Sequence, residues 1–433
     1  MKPKIAIIGS GISGIACAYY LSKEFDITLF EKENYLGGHT NTIEILRDNK
    51  IIPVDTGFIV FNLHTYPNLL NFFNELEIEF IESNMSFSVW NQNKNLYYAG
   101  TNINTIFAQR KNFFNIRFYK LLKEILRFNK LIHIYYNKEI SYSISINDFL
   151  KEYQFDTFFS ENYLIPMCSA IWSTDPQKIL DFPLKTLVHF FKNHGLASVN
   201  GHYQWYTVKN GSYNYIKKVL QKSSFKYYLN EPVLEVIRNK EKNNITILTK
   251  NRKQEFDFAI IATHTPTALK ILKDASEKEK EILSKFHYQK NIAILHEDSN
   301  VMCYDKKIWS SWNYKIGKDF KTSTTYYMKK LQPWIEFDLF VSINEYENIN
   351  DKKIYQIIEY EHPVFDTEAI KYQYRLSELN DNGLVYFCGA YFRYGFHEDG
   401  ILSSLEVVNK IKNNVFIEKS KYELPNIRNN HYT

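Results

Sequence analysis

"KIAIIGSGISGIACAYYLSKEFDITLFEKENYLGGHTNT", Lys4 to Thr42, decides how the rest of the chain is read. Lys4 to Ile8 is a short apolar run ending in glycine, the pattern of a strand buried on both faces. Ile12 to Lys23 spaces small and apolar residues as a helix does, and Ile27 to Phe30 is a second apolar run ending at Glu31. The order strand, glycine turn, helix, strand predicts a βαβ unit. Gly9, Gly11 and Gly14 make G-x-G-x-x-G at the turn. In that pattern the first glycine permits the turn, the second lets backbone approach a pyrophosphate, and the third lets helix and strand pack closely. The phosphates would sit at the helix N-terminus, where unpaired N–H groups and the helix dipole favour anions. Glu31, about twenty residues on, stands where a carboxylate accepts from ribose hydroxyls. A dinucleotide is therefore expected. The second pair, Gly37–Gly38, brings another turn of backbone near the pyrophosphate, which NAD-only domains do not usually carry, and points to FAD.

The chain has 433 residues, which predicts two domains or one nucleotide-binding domain with a large insertion. A net charge of +5 over that length is too dilute to indicate a nucleic-acid partner. Cys17, Cys168, Cys303 and Cys388 show neither metal-ligand spacing nor a disulfide framework, so no metal is expected and a reducing cytoplasm fits. No signal peptide is read at the N-terminus, and no apolar run reaches the roughly 20 residues of a membrane span. The abundance of Tyr and Phe is read as coding bias rather than as a binding platform.

Dinucleotide-type strands return late in the chain. Pro232 to Val236 and Asn244 to Leu248 read as a small meander, and Phe256 to Thr263 as another buried strand. Runs between about Lys290 and Glu361 alternate as an antiparallel sheet does. "LVYFCGAYFRYGFHEDGILSSLEVVNKI" reads as strand, glycine-rich loop and helix. The expected division is a discontinuous FAD-binding domain (1–62, 200–285 and 380–415), a discontinuous substrate domain (63–199 and 286–379) and a polar tail (416–433).

"YLGGHTNT", "NGSYNYIKKVL", "FDFAIIATHTPTAL" and the terminal "FCGAYFRYGFHEDGILSSLEVVNKI" resemble segments of the flavin-containing amine oxidase superfamily, which also holds protoporphyrinogen oxidases and carotenoid desaturases. With "VDTGFIVFN", "LIPMCSAIWST", "FKNHGL", "WSSWNY" and "EHPVF", they resemble a bacterial subgroup of FAD-binding proteins encoded beside cyclopropane-fatty-acid-synthase-like methyltransferases. The resemblance runs from Ile5 to about Ile411. It implies an α/β fold: a doubly wound, Rossmann-like FAD-binding domain with an inserted α+β substrate domain of amine-oxidase type. It also implies noncovalent FAD and an oxidoreductase that dehydrogenates an apolar substrate by hydride transfer to flavin N5. A fatty acyl chain is favoured, since a relative in the subgroup acts on a methylated acyl chain. Amine oxidation is the alternative. A noncatalytic binding module is the other, but superfamily relatives of that kind lose fingerprint glycines, which are intact here.

The superfamily usually places Arg after the glycine pair, and this chain has His39. Further cofactor contacts implied by the resemblance are Ile12, Ser13, Lys32, Thr40, Val233, Ala262, Gly389, Asp399, Gly400 and Ile401. A helix starting near Asp399–Gly400 would aim N–H groups at the N1–C2=O edge of a flavin, with Gly400 leaving room for the ring. Asp399 as a helix N-cap only is the competing reading. His397 is the candidate for proton chemistry because imidazole titrates near neutrality, with a structural histidine as rival. Lys290 is the candidate for the lysine that amine oxidases hold near N5. Trp172, Trp309, Trp312 and Tyr394 are candidates for the substrate cavity, against ordinary packing. Residues 110–132 are basic, with Phe114, Phe118, Leu121, Ile125, Phe128 and Ile132 at helical spacing. Such a helix either lies on anionic lipid at the inner face of the membrane or packs on the core.

Overall fold

Five parallel strands form the nucleotide-side sheet of the computed structural model, in the order Lys226–Tyr228, Asp26–Phe30, Lys4–Ile8, Phe258–Ile261, Val385–Phe387. Ile5, Ala6 and Ile7 at its centre are fully buried, which is why this strand carries no alternation of polar and apolar residues. The structure describes residues 2–198, 203–345, 349–381 and 383–422. One face of the sheet is covered by the helix Ile12–Leu21 together with Pro67–Leu76, Tyr213–Lys222 and the C-terminal helix His397–Tyr422. The other face carries the antiparallel meander Val233–Asn239, Asn244–Thr249, Lys253–Phe256.

A seven-stranded sheet forms the second unit, in the order Ile354–Val364, His287–His296, Phe340–Ile343, Thr322–Tyr327, Trp312–Ile316, Phe87–Asn91, Leu96–Ala99. The antiparallel pairing expected between about Lys290 and Glu361 holds, while Phe87–Asn91, from outside that span, joins Trp312–Ile316 in parallel. Two strands so far apart in sequence need no hairpin, so nothing local dictated their direction. A helical layer packs nearby, its core built from Phe118, Leu121, Phe128, Phe149, Phe159 and Phe191.

Three placements differ from the sequence reading. Pro67–Leu76, assigned to the substrate side, sinks Leu69, Phe72, Phe73 and Leu76 into the nucleotide-side core. The last helix continues to Tyr422, past the start of the expected tail at 416, and the remainder of that tail lies outside the described residues. Phe114, read at helical spacing with Phe118 and Leu121, lies instead in the short turn Arg110–Phe114 that precedes the helix Ile116–Tyr136, where it is 92% exposed.

The two units are tied together at Asp55, at the end of the strand Lys50–Asp55. Its buried carboxylate accepts from Thr42 Oγ1 (2.5 Å), from Ser212 N (2.9 Å) and Oγ (2.7 Å), and from Gln332 Nε2 (2.7 Å). Ser212 precedes a nucleotide-side helix, and Gln332 ends the short helix Met328–Leu331 that follows the strand Thr322–Tyr327 of the large sheet. Burial pushes the Asp55 carboxyl up to about 6, against these hydrogen bonds, which favour the anion.

Candidate dinucleotide and substrate site

A single cavity of about 1660 Å³ runs from the glycine turn to the helix Ile116–Tyr136. Pockets for one small ligand hold about 300–1,000 Å³, so this one has room for a dinucleotide and a substrate together. Its floor is the turn Gly9–Ser13 at the carboxyl end of the central strand, where open α/β sheets bind ligands.

The turn fits a pyrophosphate. Gly11 has φ −60° and ψ 177°, and a Cβ built there meets no atom within 4 Å, because it points into the cavity. A Cβ on Gly14 would lie 1.9 Å from Gly9 O, so Gly14 serves the strand–helix contact. Gly37 and Gly38 have φ of 122° and 59°, and Gly38 brings its backbone against Gly11. Glu31 is buried and held in place: Oε2 accepts from Ser10 N (2.9 Å) and Oγ (2.6 Å), and Oε1 from Glu33 N (2.9 Å). Val233, Ala262 and Gly389 also line the cavity, as do Ile12, Ser13 and Lys32. FAD would be held by these residues, with Glu31 toward the ribose and the helix N-terminus toward the phosphates.

His39 lines the cavity, and its Nε2 has no hydrogen-bond partner among the described residues. Its ring stacks on Tyr360 (centroids 4.8 Å) and meets His362 edge-on (5.2 Å). Burial, then the neighbouring histidines, hold its pKa well below the ordinary value, so it does not supply the charge of the superfamily arginine. Backbone N–H groups and the helix dipole must meet the phosphate charge instead.

Several expected contacts fall elsewhere. Asp399, Gly400 and Ile401 are buried but do not border the cavity. A Cβ on Gly400 would lie 2.7 Å from Ile12 Cγ2 and 2.9 Å from Ser13 Oγ, so this glycine makes room for the first helix, not for a ring. Ile401 belongs to the nucleotide-side core. Thr40 and Gly37 also lie behind the cavity wall, where Thr40 Oγ1 bonds the Tyr215 hydroxyl and, at 3.0 Å, His397 Nε2. His397 does border the cavity, stacked on Phe58 (centroids 3.7 Å). Burial lowers its pKa to about 3, so it stays neutral and is a poor proton acceptor near neutrality, contrary to the expectation from free imidazole. Lys290 lines only the rim: its side chain is 66% exposed and its Nζ lies 2.9 Å from Glu359 Oε1. Trp172, Trp312 and Tyr394 line the cavity, while Trp309 packs with Tyr327 and Phe340 and donates to Cys303 O (2.7 Å).

The helix carrying His397 starts at that residue, two positions before Asp399. Asp399 Oδ2 accepts from the backbone N–H of Tyr394 (3.2 Å) and Phe396 (2.9 Å), pinning the loop that walls the cavity from Gly389 to Phe396. Burial pushes this carboxyl up to about 7. Its folded pKa is raised, so its contribution to stability is fully present below the unfolded value near 4 and is lost as pH rises through about 7. Asp399→Asn, neutral at every pH, is expected to gain on the native chain by on the order of 2 kcal/mol between pH 5 and 8 in urea unfolding. A difference that is flat with pH would contradict the assignment.

Beyond Trp172, Trp312 and Tyr394, part of the substrate half of the cavity escaped the sequence reading. Leu122, Ile125, Leu126 and Asn129 from the basic helix, and Tyr163, Met167 and Ile171 from the segment around "LIPMCSAIWST", line it. Their i, i+3, i+4 spacing was a readable signal: each helix has a second apolar face beyond the one a core requires.

Residues 7–76 match the family model of the NAD(P)-binding Rossmann-like domain. No curated protein sequence matches the chain. Among solved structures, a CLA-producing fatty acid isomerase from P. acnes is 13% identical with a TM-score of 0.66, over 94% of this chain and 98% of that one. Cyclohexylamine oxidase from Brevibacterium oxydans is 13% identical with a TM-score of 0.70, over 96% and 100%. A putrescine oxidase in complex with putrescine is 13% identical with a TM-score of 0.65, over 95% and 99%. The fold is therefore a Rossmann-like nucleotide-binding domain joined to an amine-oxidase-type substrate domain, as the resemblance implied.

Proposed function

We propose that the chain is an FAD-dependent oxidoreductase that dehydrogenates an apolar substrate, a fatty acyl chain. One observation carries the substrate class. Every charged residue lining the cavity (Glu31, Lys32, Glu33, Lys290, Glu359 and Glu361) lies on the dinucleotide side or the adjoining rim. Among the described residues, the wall contributed by residues 85–205, with Trp312 and Tyr326, contains no Asp, Glu, Lys or Arg. Burying a cationic amine there would carry a desolvation penalty with no carboxylate to offset it, whereas an acyl chain loses only its hydration. The fatty acid isomerase fold relative is in keeping with this reading.

When bound, the flavin supplies the hydride acceptor. The protein's own part is to hold the chain against it with Trp172, Phe190 and Tyr394 and to keep water out. His397, as a neutral ring fixed by Thr40 and Phe58, shapes the wall. The cofactor is noncovalent in this proposal, because none of the four cysteines borders the cavity: Cys388 lies beneath the sheet with its Sγ 3.9 Å from that of Cys17. An acyl substrate also brings residues 110–132 into contact with a membrane face.

The test is anaerobic mixing of the oxidised holoprotein with phospholipids bearing unsaturated or methyl-branched chains, and separately with simple amines and polyamines. Bleaching of the flavin by the lipids alone is expected. Bleaching by amines alone would refute the acyl reading and return the site to amine oxidation.

A further inference from the structure

The cavity opens at the helix Ile116–Tyr136: Leu126, which lines it, is also 56% exposed. Around this mouth the surface is unusually apolar. Phe114 is 92% exposed, Ile116 86% and Ile103 74%, with Phe113 and Tyr119 also exposed. These residues lie within one short segment, beside the opening rather than scattered, and large contiguous apolar surface marks an interaction site.

The charge beside them names the partner. Residues 103–130 hold seven basic side chains (Arg110, Lys111, Arg117, Lys120, Lys123, Arg127 and Lys130) and one acid, Glu124, which is buried and pairs with Arg127 (3.1 Å). Lys120 pairs with Asp156, which leaves Lys111, Arg117, Lys123 and Lys130 exposed around the apolar tip. Along the helix, Ile116, Tyr119, Lys123, Leu126 and Lys130 share the outward face, alternating apolar and basic as a bilayer-surface helix does. No helix among the described residues is long and apolar enough to cross a membrane, so any contact is with the surface.

We propose that this mouth docks on an anionic lipid bilayer, with Phe114 and Ile116 inserted and the lysines on the headgroups, so that an acyl chain enters the cavity at Leu126 directly from the bilayer. The docking is read from the surface alone. What passes through the mouth rests on the acyl reading above.

The holoprotein is cosedimented with vesicles of phosphatidylcholine and with vesicles of mixed phosphatidylglycerol and phosphatidylcholine. Binding to the anionic vesicles is expected, well above that to phosphatidylcholine. Phe114→Ser with Ile116→Ser lowers the partition coefficient by roughly tenfold or more. Lys111→Gln with Lys123→Gln lowers it roughly fivefold per charge on anionic vesicles only. Retained FAD in each variant shows that it is folded. No binding, equal binding to both vesicles, unchanged binding of either variant, or self-association through this face without vesicle binding would each overturn the docking. Bleaching by detergent-dispersed phospholipid separates the two readings. Bleaching without vesicle binding removes the docking and keeps the acyl substrate; vesicle binding without bleaching does the reverse.

Discussion

Gly11→Val is expected to fold as the native chain does and to lose its FAD. The backbone at Gly11 is in a conformation any residue adopts, and a Cβ there meets no protein atom within 4 Å. The only space it fills is the floor of the cavity, where backbone N–H groups must come within hydrogen-bond reach of the phosphates. Affinity for FAD should fall by roughly a hundredfold or more, about 2.7 kcal/mol, while the melting temperature of the apoprotein stays close to that of native apoprotein. Gly14→Val is the counterpart. A Cβ there lies 1.9 Å from Gly9 O, so the first helix must move off the sheet and both stability and cofactor are lost. Equilibrium dialysis and thermal melts of the two apoproteins separate the cases. Stoichiometric FAD in Gly11→Val would overturn the assignment of this turn.

Asp55→Ala is expected to give the largest loss of stability of any single change away from the glycine turn. Four donors converge on that carboxylate from Thr42, Ser212 and Gln332, and all are left without an acceptor in a site closed to water. Buried unsatisfied donors cost about 1–3 kcal/mol each, and partial relaxation brings the total to about 4 kcal/mol. Asp55→Asn keeps the shape and one acceptor but turns an NH₂ toward donors, so it should lose about half as much. Urea unfolding at neutral pH measures both. A loss below 1 kcal/mol for Asp55→Ala would mean that the two units are joined elsewhere.

How far the sequence could be read depended on whether each function was local. The first forty residues contain strand, turn, helix and acid in unbroken order, so the Rossmann unit and Glu31 were legible from spacing alone. Of the C-terminal motif, Gly389 and His397 border the cavity, yet its helix begins two residues earlier than expected. That shift turns Asp399 and Gly400 toward the first helix and the cavity loop, a difference of packing between residues almost 400 apart in sequence that no local pattern records. Lys290 lines the cavity only at its rim for a related reason: the strand His287–His296 was legible, but its pairing with Glu359 on the neighbouring strand was not. Asp55 was quoted within a motif and passed over, because its three partners come from segments up to 277 residues away.

The cofactor floor is stitched from strands at 4–30, 226–261 and 385–387, with the last wall supplied by the loop before His397. During synthesis the glycine turn emerges well before residue 385 does, so its helix waits for the helix His397–Tyr422 that covers it. Until then the first βαβ unit is without the edge strand Val385–Phe387 and the cavity wall from Gly389 to Phe396. A product truncated before residue 385 would lack that wall of the cavity and leave the edge of Phe258–Ile261 unpaired, open to other chains.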